Sequence, residues 1–307
     1  MMKIGMIGLG RMGFRMSLRL IRGGHTVVGY DPNPEAVERL VQRGGQGAGS
    51  LEALVEQLAL PRVIWMMIPA GDPVDQTLDR LVPLLNRGDI VIDGGNSFYK
   101  ESMRRAERLK EASLYYLDVG TSGGVWGLEE GYSMMIGGDA EAVGYLRPIF
   151  ETLAPAPDRG WGHVGPSGSG HFVKMVHNGI EYGMMQALAE GFSVMHHQKE
   201  FGLDLHQIAE IWRYGSVVRS WLLDLLADGL SKDTQLVDIA PYVEDSGEGR
   251  WTVKEAIDLN VAAPVMTLAL LQRIRSRDEE GYAERILALL RNQFGGHALR
   301  EVTENDD

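Results

Sequence analysis

The feature that most constrains this chain is a glycine turn near its N-terminus. Gly8-Leu9-Gly10-Arg11-Met12-Gly13 follows an apolar strand-like run, Lys3–Gly8, and opens a helical stretch, Met12–Ile21. In that context a GxGxxG pattern is typical of a dinucleotide site, because glycines let the backbone approach a pyrophosphate at the start of a helix. We therefore predict that these six residues contact a cofactor: Gly8, Leu9, Gly10, Arg11, Met12 and Gly13.

An acidic residue at the end of the next strand supports this prediction. Asp31 follows the apolar run Thr26–Tyr30, at the spacing where a carboxylate accepts hydrogen bonds from the adenosine ribose. A carboxylate there repels a 2′-phosphate, and the next residues, Pro32 and Asn33, are not basic. The pattern favours NAD over NADP. The alternative is a chance glycine turn beside a surface aspartate.

Strand-like and helical stretches alternate through the first half of the chain. Apolar runs such as Val63–Ile68 and Ile90–Ile92 lack polar alternation, as buried parallel strands do. The Gly/Ser/Pro cluster in Gly162–Gly170 indicates a domain boundary, and the patterns beyond it are helical, apart from a predicted polar loop at Val243–Trp251. We predict a Rossmann-like doubly wound parallel sheet at 1–164 and an all-α domain for substrate binding and oligomerisation at 165–307.

Composition excludes several classes of function. The net charge of −12 argues against a nucleic-acid or anionic-membrane surface, and the absence of cysteine excludes thiol chemistry and cysteine metal sites. We expect no metal cofactor. No apolar run approaches the roughly 18 residues that span a bilayer, and the N-terminus does not resemble a signal peptide. These features favour a cytoplasmic protein.

Other predicted strand ends carry candidate ligands, since ligands of doubly wound sheets bind beyond the carboxyl ends of the strands. Pro69 and Ala70 are candidates for the nicotinamide half of the cofactor. Asn96 is a candidate for the ribose or the substrate, and Ser122-Gly123-Gly124 suits a substrate carboxylate. Ordinary βα turns favour the same residue types, so this alternative stays open.

The first long helix after the boundary carries the candidate chemistry. Lys174, Asn178 and Glu181 share one helical face at i, i+4 and i+7, and His177 and Tyr182 flank it. An exposed polar stripe is the alternative, but the surrounding residues are mostly apolar. A lysine acts as a general base only when desolvation or nearby positive charge lowers its pKa.

In these motifs the chain resembles the β-hydroxyacid dehydrogenases and, within them, the shorter bacterial form of the 6-phosphogluconate dehydrogenases. The general signals are GLGRMG, the TSGG turn at Thr121–Gly124 and Lys174. Asp93–Ser97 is similar to a DGGNS loop, Lys174–Tyr182 to a KxxHNxxEY helix, and Arg291–His297 to an RxxFGxH tail.

The resemblance implies a role for each candidate. Lys174 is the implied general base and Glu181 the implied general acid. The sugar acid and its carboxylate would be held by Asn96, Ser122, Gly123, Gly124, His177 and Asn178. The phosphate would be held by Tyr182, Arg273, Arg291 and His297, the last two reaching over from the partner in a homodimer or homotetramer. Arg275 and Arg277 compete with Arg273 for its position.

The chain departs from the family pattern in three places. It lacks the second helical half of the longer enzymes. The glycine-rich loop is shortened to Ser246–Trp251, so a phosphate-binding lysine is missing, and Arg250 either replaces it or is structural. Asp31 stands where NADP-preferring members carry a neutral residue followed by arginine, which again favours NAD.

Three rival functions are weighed against decarboxylating oxidation of 6-phosphogluconate. The first is a simple 3-hydroxyacid dehydrogenase of the 3-hydroxyisobutyrate type, which has no use for Arg291 and His297. The second is imine reduction, in which the lysine is typically replaced. The third is a non-catalytic NAD sensor, against which the retention of both Lys174 and Glu181 argues.

Overall fold

The computed structural model describes residues 1–295 and 298–300. Contacts group the chain into two compact units. The first unit comprises Met1–Glu181 with Glu248–Val261, and the second comprises Tyr182–Gly247 with the chain from Ala262 onward. The predicted domains, 1–164 and 165–307, divide the chain at a single boundary, whereas these units are each built from two segments of the chain. The predicted domains therefore stay a prediction.

An eight-stranded sheet organises the first unit, in the order β3-β2-β1-β4-β5-β6-β7-β8. The strands are β1 (Lys3–Ile7), β2 (Thr26–Tyr30), β3 (Gln46–Gly47), β4 (Val63–Met66), β5 (Ile90–Asp93), β6 (Tyr115–Ser122), β7 (Ser133–Gly138) and β8 (Trp161–Gly165). Every neighbouring pair is parallel except β6 and β7. The predicted Rossmann-like sheet is confirmed, with this one antiparallel pair added. Only residues 123–132 join β6 to β7, too few for the crossover that a parallel pair needs.

Fourteen α-helices lie within the described residues, and the first of them covers the helix predicted over Met12–Ile21. They are α1 (Arg11–Arg22), α2 (Pro34–Val41), α3 (Leu51–Glu56), α4 (Asp72–Leu81), α5 (Tyr99–Glu111), α6 (Gly127–Glu130), α7 (Ala140–Tyr145), α8 (Arg147–Leu153), α9 (Ser169–His197), α10 (Leu205–Trp212), α11 (Trp221–Leu230), α12 (Glu248–Asp258), α13 (Pro264–Arg275) and α14 (Tyr282–Gly295). The prediction of a loop over Val243–Trp251 was wrong at its end, because α12 already begins at Glu248.

The core of the first unit lies on both faces of the sheet. Neighbouring strand residues such as Trp65 and Met66 are fully buried but belong to opposite clusters, as do Val91 and Ile92. This explains why the strands are apolar at consecutive positions rather than at alternate ones. Because β1, β2, β4 and β5 are parallel to one another, their carboxyl ends lie at one edge of the sheet.

The second unit is helical in the part that the structure describes, which confirms the predicted all-α character of the C-terminal region. One small buried cluster in this unit comprises Phe192, Ala209, Leu223, Ala227 and Leu230. Large apolar side chains remain exposed on α13 and α14, among them Val265, Leu268, Leu271, Leu287 and Leu290. In the described ranges, no helix has both the length and the apolar character needed to cross a bilayer.

Candidate active site

The glycine turn lies between β1 and α1 and is shaped by close backbone contacts. Gly8 has a φ of +91°, and a Cβ atom there would lie 2.4 Å from the backbone oxygen of Met67. A Cβ on Gly13 would lie 2.0 Å from the oxygen of Gly8. Neither position can hold a side chain without moving the backbone. A Cβ on Gly10 would meet nothing within 4 Å, so the turn is open where α1 presents its N-terminus.

Asp31 holds this turn and borders a cavity beside it. Its Oδ2 accepts a hydrogen bond of 2.7 Å from the backbone N–H of Leu9, and its Oδ1 accepts one of 2.9 Å from Asn33. The cavity measures about 430 Å³, and its lining includes Gly8, Gly10, Asp31 and Pro69. The structure thus brings together the turn, the acid and Pro69, all of which the sequence predicted. Half-buried Ala70 follows in the same segment, and Met12 packs partly against the core.

A second cavity, of about 850 Å³, also borders the turn and is rich in arginine. Leu9, Gly10 and Arg11 contribute to its lining, with Arg15, Arg22, Arg39 and Arg43. Arg22 pairs with Glu129 at 3.0 Å, and the guanidinium of Arg39 lies over the ring of Phe14. These cations suit the neighbourhood of a diphosphate. Only Arg11 was among the residues predicted from the sequence, although the spacing of arginines along α1 could have indicated Arg15 and Arg22 as well.

The loop after β5 is fixed by the buried carboxylate of Asp93. This group accepts hydrogen bonds from the hydroxyls of Ser97 (2.7 Å) and Tyr116 (3.0 Å) and from the backbone of Gly95 (3.1 Å). Asn96, between Gly95 and buried Ser97, is left exposed. The loop therefore presents the one side chain that was predicted to bind ligand.

The TSGG turn ends β6 in a conformation that requires glycine. Ser122 is the last residue of the strand and pairs with Ser133. Gly123 and Gly124 follow with φ values of +130° and +51°, in the region where side chains are strained. Gly124 is exposed and a Cβ there would meet nothing within 4 Å, so its peptide group is approachable, as the prediction of a carboxylate site needs.

Close packing of α9 against β6 places Lys174 beside this turn. A Cβ on Gly120 would lie 2.4 Å from the Cβ of Lys174, so glycine is what lets the helix approach the strand. Buried Asp118, also on β6, accepts hydrogen bonds from the backbone N–H groups of Gly168 (2.6 Å) and His171 (2.8 Å). These contacts fix the start of α9 in the first unit.

Lys174 is buried and unpaired within the part of the chain that the structure describes. The residue is only 7% exposed, and its ammonium group makes no hydrogen bond or ion pair with the described residues. Burial lowers the pKa of Lys174 below its ordinary value, although the carboxylates of Glu181 and Glu248 act in the opposite direction. The structure therefore supplies the desolvation that a lysine base needs.

The polar residues that follow on α9 form a short chain. His177 Nδ1 lies 3.1 Å from Asn178 Oδ1 and 3.8 Å from Glu181 Oε2. Asn178 is nearly buried, whereas the side chains of His177 and Glu181 are each 40% exposed. Glu181 is therefore accessible to solvent protons, and Lys174 is not.

In the second unit, Tyr182 contacts the hydroxyl of Ser246 and the guanidinium of Arg273. Its own hydroxyl lies 3.1 Å from Ser246 Oγ, and the guanidinium of Arg273 lies 3.4 Å from the centre of its ring. Arg275 instead pairs with Glu284, and Arg277 pairs with Asp245. Of the three competing arginines, Arg273 is the one beside Tyr182.

The tail candidates are described only in part. Arg291 lies exposed on α14, whereas His297 lies outside the described residues. Over 1–295 and 298–300, no group of three or more His, Asp or Glu side chains is arranged to hold a metal ion.

The fold and these residues together define a dinucleotide-binding α/β protein of the Rossmann type. Residues 3–163 match the model of the NAD binding domain of 6-phosphogluconate dehydrogenase, and residues 170–301 match the C-terminal domain of the same enzyme. The chain belongs to the 6-phosphogluconate dehydrogenase family, and its N-terminal domain is an NAD(P)-binding domain.

Similar proteins support this membership over the full length. The chain is 46% identical over 300 residues to a putative 6-phosphogluconate dehydrogenase of Bacillus subtilis, covering 98% of this chain and 100% of that protein. It is 45% identical over 307 residues to the NAD(+)-dependent decarboxylating 6-phosphogluconate dehydrogenase of Haloferax volcanii, covering 100% of both. The solved 6-phosphogluconate dehydrogenase of Plasmodium falciparum, studied with its cofactor NADP+ and with 6-phosphogluconate, has a TM-score of 0.84 and 32% identity, covering 99% of this chain and 67% of that one.

Proposed function

We propose that this protein oxidises and decarboxylates 6-phospho-D-gluconate to D-ribulose 5-phosphate and CO2 while reducing NAD. Family membership over the whole length supports the reaction. The observation that carries the mechanism is the buried, unpaired Lys174, seven residues before the accessible Glu181 on one helix. A simple hydroxyacid dehydrogenase needs the lysine but not the second acid.

Lys174 serves as the general base in the oxidation step. In its neutral form it removes the proton of the 3-hydroxyl group. A bound nicotinamide would accept the hydride from C3. The open turn at Gly10 and the cavity beside Asp31 fit the adenosine and diphosphate of such a cofactor.

The second step uses both residues. The 3-ketone lies β to the carboxylate and accepts the electron pair that CO2 leaves behind, so no metal is required. Protonated Lys174 stabilises the enolate oxygen. Glu181 then protonates C1 of the enediol, and its exposure lets it recover a proton from solvent.

The remaining predicted residues hold the substrate in this proposal. Its carboxylate and hydroxyls are bound by Asn96, Ser122, Gly123, Gly124, His177 and Asn178. Its phosphate is bound by Tyr182 and Arg273, with Arg291 and His297 of the partner subunit. The ring-stacked position of Arg273 supports its choice over Arg275 and Arg277.

Preference for NAD over NADP is also part of the proposal. Asp31 borders the cavity beside the turn, where its carboxylate repels a 2′-phosphate. We further propose that 1–164 binds the cofactor and 165–307 forms the subunit interface of a homodimer or homotetramer. The apolar side chains exposed on α13 and α14 support an interface there. A cytoplasmic location stays a prediction.

The first experiment follows nicotinamide absorbance after mixing protein with 6-phosphogluconate and NAD, with NADP in parallel, while CO2 is trapped. We expect reduction with stoichiometric CO2, faster with NAD. Reduction without CO2 would remove the acid role of Glu181 and favour a simple hydroxyacid dehydrogenase. Turnover only of an unphosphorylated 3-hydroxy acid would overturn the phosphate assignment.

A further inference from the structure

Glu248 is a buried carboxylate that none of the roles above uses. It is the first residue of α12 and is 4% exposed. Its Oε2 atom is buried and has no hydrogen-bond partner among the described residues. An ionised carboxylate in such a place is costly unless something satisfies it.

Capping of the helix does not explain Glu248. An acidic side chain at a helix start commonly accepts hydrogen bonds from free backbone N–H groups. Here the side chain of Glu248 accepts none within the described ranges, and only its backbone oxygen is engaged, by Thr252 Oγ1 at 2.9 Å. The residue therefore keeps its acceptor capacity for another group.

The first turn of α12 is fastened directly beside Lys174. The hydroxyl of Thr252 lies 2.7 Å from the backbone oxygen of Met175, the residue after the lysine. Glu248 is close enough for its charge to act on Lys174, yet the two form no ion pair in the structure. Two buried ionisable groups thus influence each other electrostatically without forming an ion pair.

We propose that Glu248 is a substrate-binding residue whose carboxylate accepts a hydrogen bond from a hydroxyl group of the polyhydroxy acid. The inference rests on the proposed function. A carboxylate repels both anionic ends of 6-phosphogluconate, so only the hydroxyls between those ends can donate to it. Glu248 selects a polyhydroxy chain over a simple 3-hydroxy acid, because an analogue without the hydroxyl leaves the carboxylate unsatisfied.

Removal of the charge of Glu248 has a second consequence. The charged groups acting around Lys174 are Glu181 on α9 and Glu248 on α12, with His177 beside Glu181. Both carboxylates favour protonated Lys174. Glu248→Gln removes one of them, which lowers the pKa of Lys174 further and moves the acidic limb of kcat/KM to lower pH.

The test measures binding and turnover of 6-phosphogluconate and of three analogues, each lacking the hydroxyl at C2, C4 or C5. The variants are Glu248→Ala and Glu248→Gln. The control is Glu255→Gln on the same helix, whose carboxylate is engaged by Tyr99 (2.7 Å) and Lys100 (3.3 Å). NAD affinity and thermal unfolding verify that each variant is folded.

We expect Glu248→Ala to weaken binding of 6-phosphogluconate about ten- to hundredfold, as for loss of a hydrogen bond to a charged group. For one analogue, wild type and Glu248→Ala should bind alike, because the hydroxyl concerned is already missing. Glu248→Gln should bind better than Glu248→Ala and show the shifted acidic limb. Glu255→Gln should match wild type.

Two results would overturn the inference, and they differ from failure of the proposed function. One is unchanged affinity for 6-phosphogluconate in Glu248→Ala. The other is an equal loss with all three analogues, which would indicate general damage to the site. If wild-type protein neither binds nor oxidises 6-phosphogluconate, the proposed function fails, and the role of Glu248 fails with it.

Discussion

The carboxylate of Asp31 accepts a 2.7 Å hydrogen bond from the backbone N–H of Leu9, in the middle of the glycine turn. Its other oxygen accepts from Asn33 at the start of α2. One side chain therefore fixes the turn after β1 and the exit from β2. The acid that is proposed to select NAD also shapes the glycine turn that is proposed to bind the diphosphate.

Replacement of Asp31 should change cofactor preference and weaken the turn together. We expect Asp31→Asn to lower kcat/KM with NAD about ten- to hundredfold, because hydrogen bonds to a charged group are lost. The kcat/KM with NADP should fall less than that with NAD, or should rise, because the repulsion of the 2′-phosphate is gone. Initial rates with both cofactors give the ratio.

Asn33→Ser is the matched control for Asp31. Asn33 Oδ1 caps α2 by accepting from Glu35 at 3.0 Å, and serine can make the same bond. Its cofactor ratio should equal that of wild type. An unchanged NAD/NADP ratio in Asp31→Asn would show that selectivity lies elsewhere.

Lys174→Met and Lys174→Arg should both abolish the base, for opposite reasons. Methionine has no proton acceptor, and arginine stays protonated at any working pH. We expect kcat to fall about 10²–10⁴-fold in each, while NAD affinity stays near that of wild type. Single-turnover absorbance measurements and calorimetric NAD titration separate these effects. Residual activity within tenfold of wild type would exclude Lys174 as the base.

The lowered pKa of Lys174 predicts how stability depends on pH. Between that pKa and the ordinary value of about 10.5, the unfolded chain binds more protons than the folded one, so stability rises with pH through this window. Lys174→Met removes the buried charge. Its gain in unfolding free energy over wild type should be largest below the window and vanish above it. Urea titrations at several pH values would contradict this if the difference were constant.

Local patterns predicted most of the fold and site, whereas long-range contacts escaped them. The strands, α1, α9 and the glycine turn follow from consecutive residues. The burial of Glu248 does not, because it depends on a contact between Thr252 and Met175, 77 residues apart. Because Glu248 lies in a polar, glycine-rich stretch, the sequence predicted a loop at that position. The two bonds that Asp118 accepts from the start of α9 are equally invisible in sequence.

Glu181→Gln should interrupt the reaction after oxidation. Glutamine keeps the size of the side chain but cannot deliver a proton to C1. We expect overall turnover to fall about 10²–10⁴-fold. In D2O, wild-type protein should place deuterium stereospecifically at C1 of the ketopentose phosphate, as detected by NMR. In the variant, the little product that forms should be a mixture of molecules with the deuterium at either of the two stereochemical positions of C1. Retained stereospecificity would assign the proton to another group.

Arg273 should set the preference for a phosphorylated substrate. It is the arginine stacked on Tyr182, whereas Arg275 is paired with Glu284. We expect Arg273→Ala to lower kcat/KM for 6-phosphogluconate about ten- to hundredfold, as for loss of one charge-assisted hydrogen bond, and to leave gluconate turnover unchanged. Arg275→Ala, the matched control, should keep the wild-type ratio. The ratio of the two substrates, rather than either rate, is the decisive quantity, because general damage to the helix lowers both rates together. A ratio that falls in Arg275→Ala but not in Arg273→Ala would reverse the assignment between these two arginines.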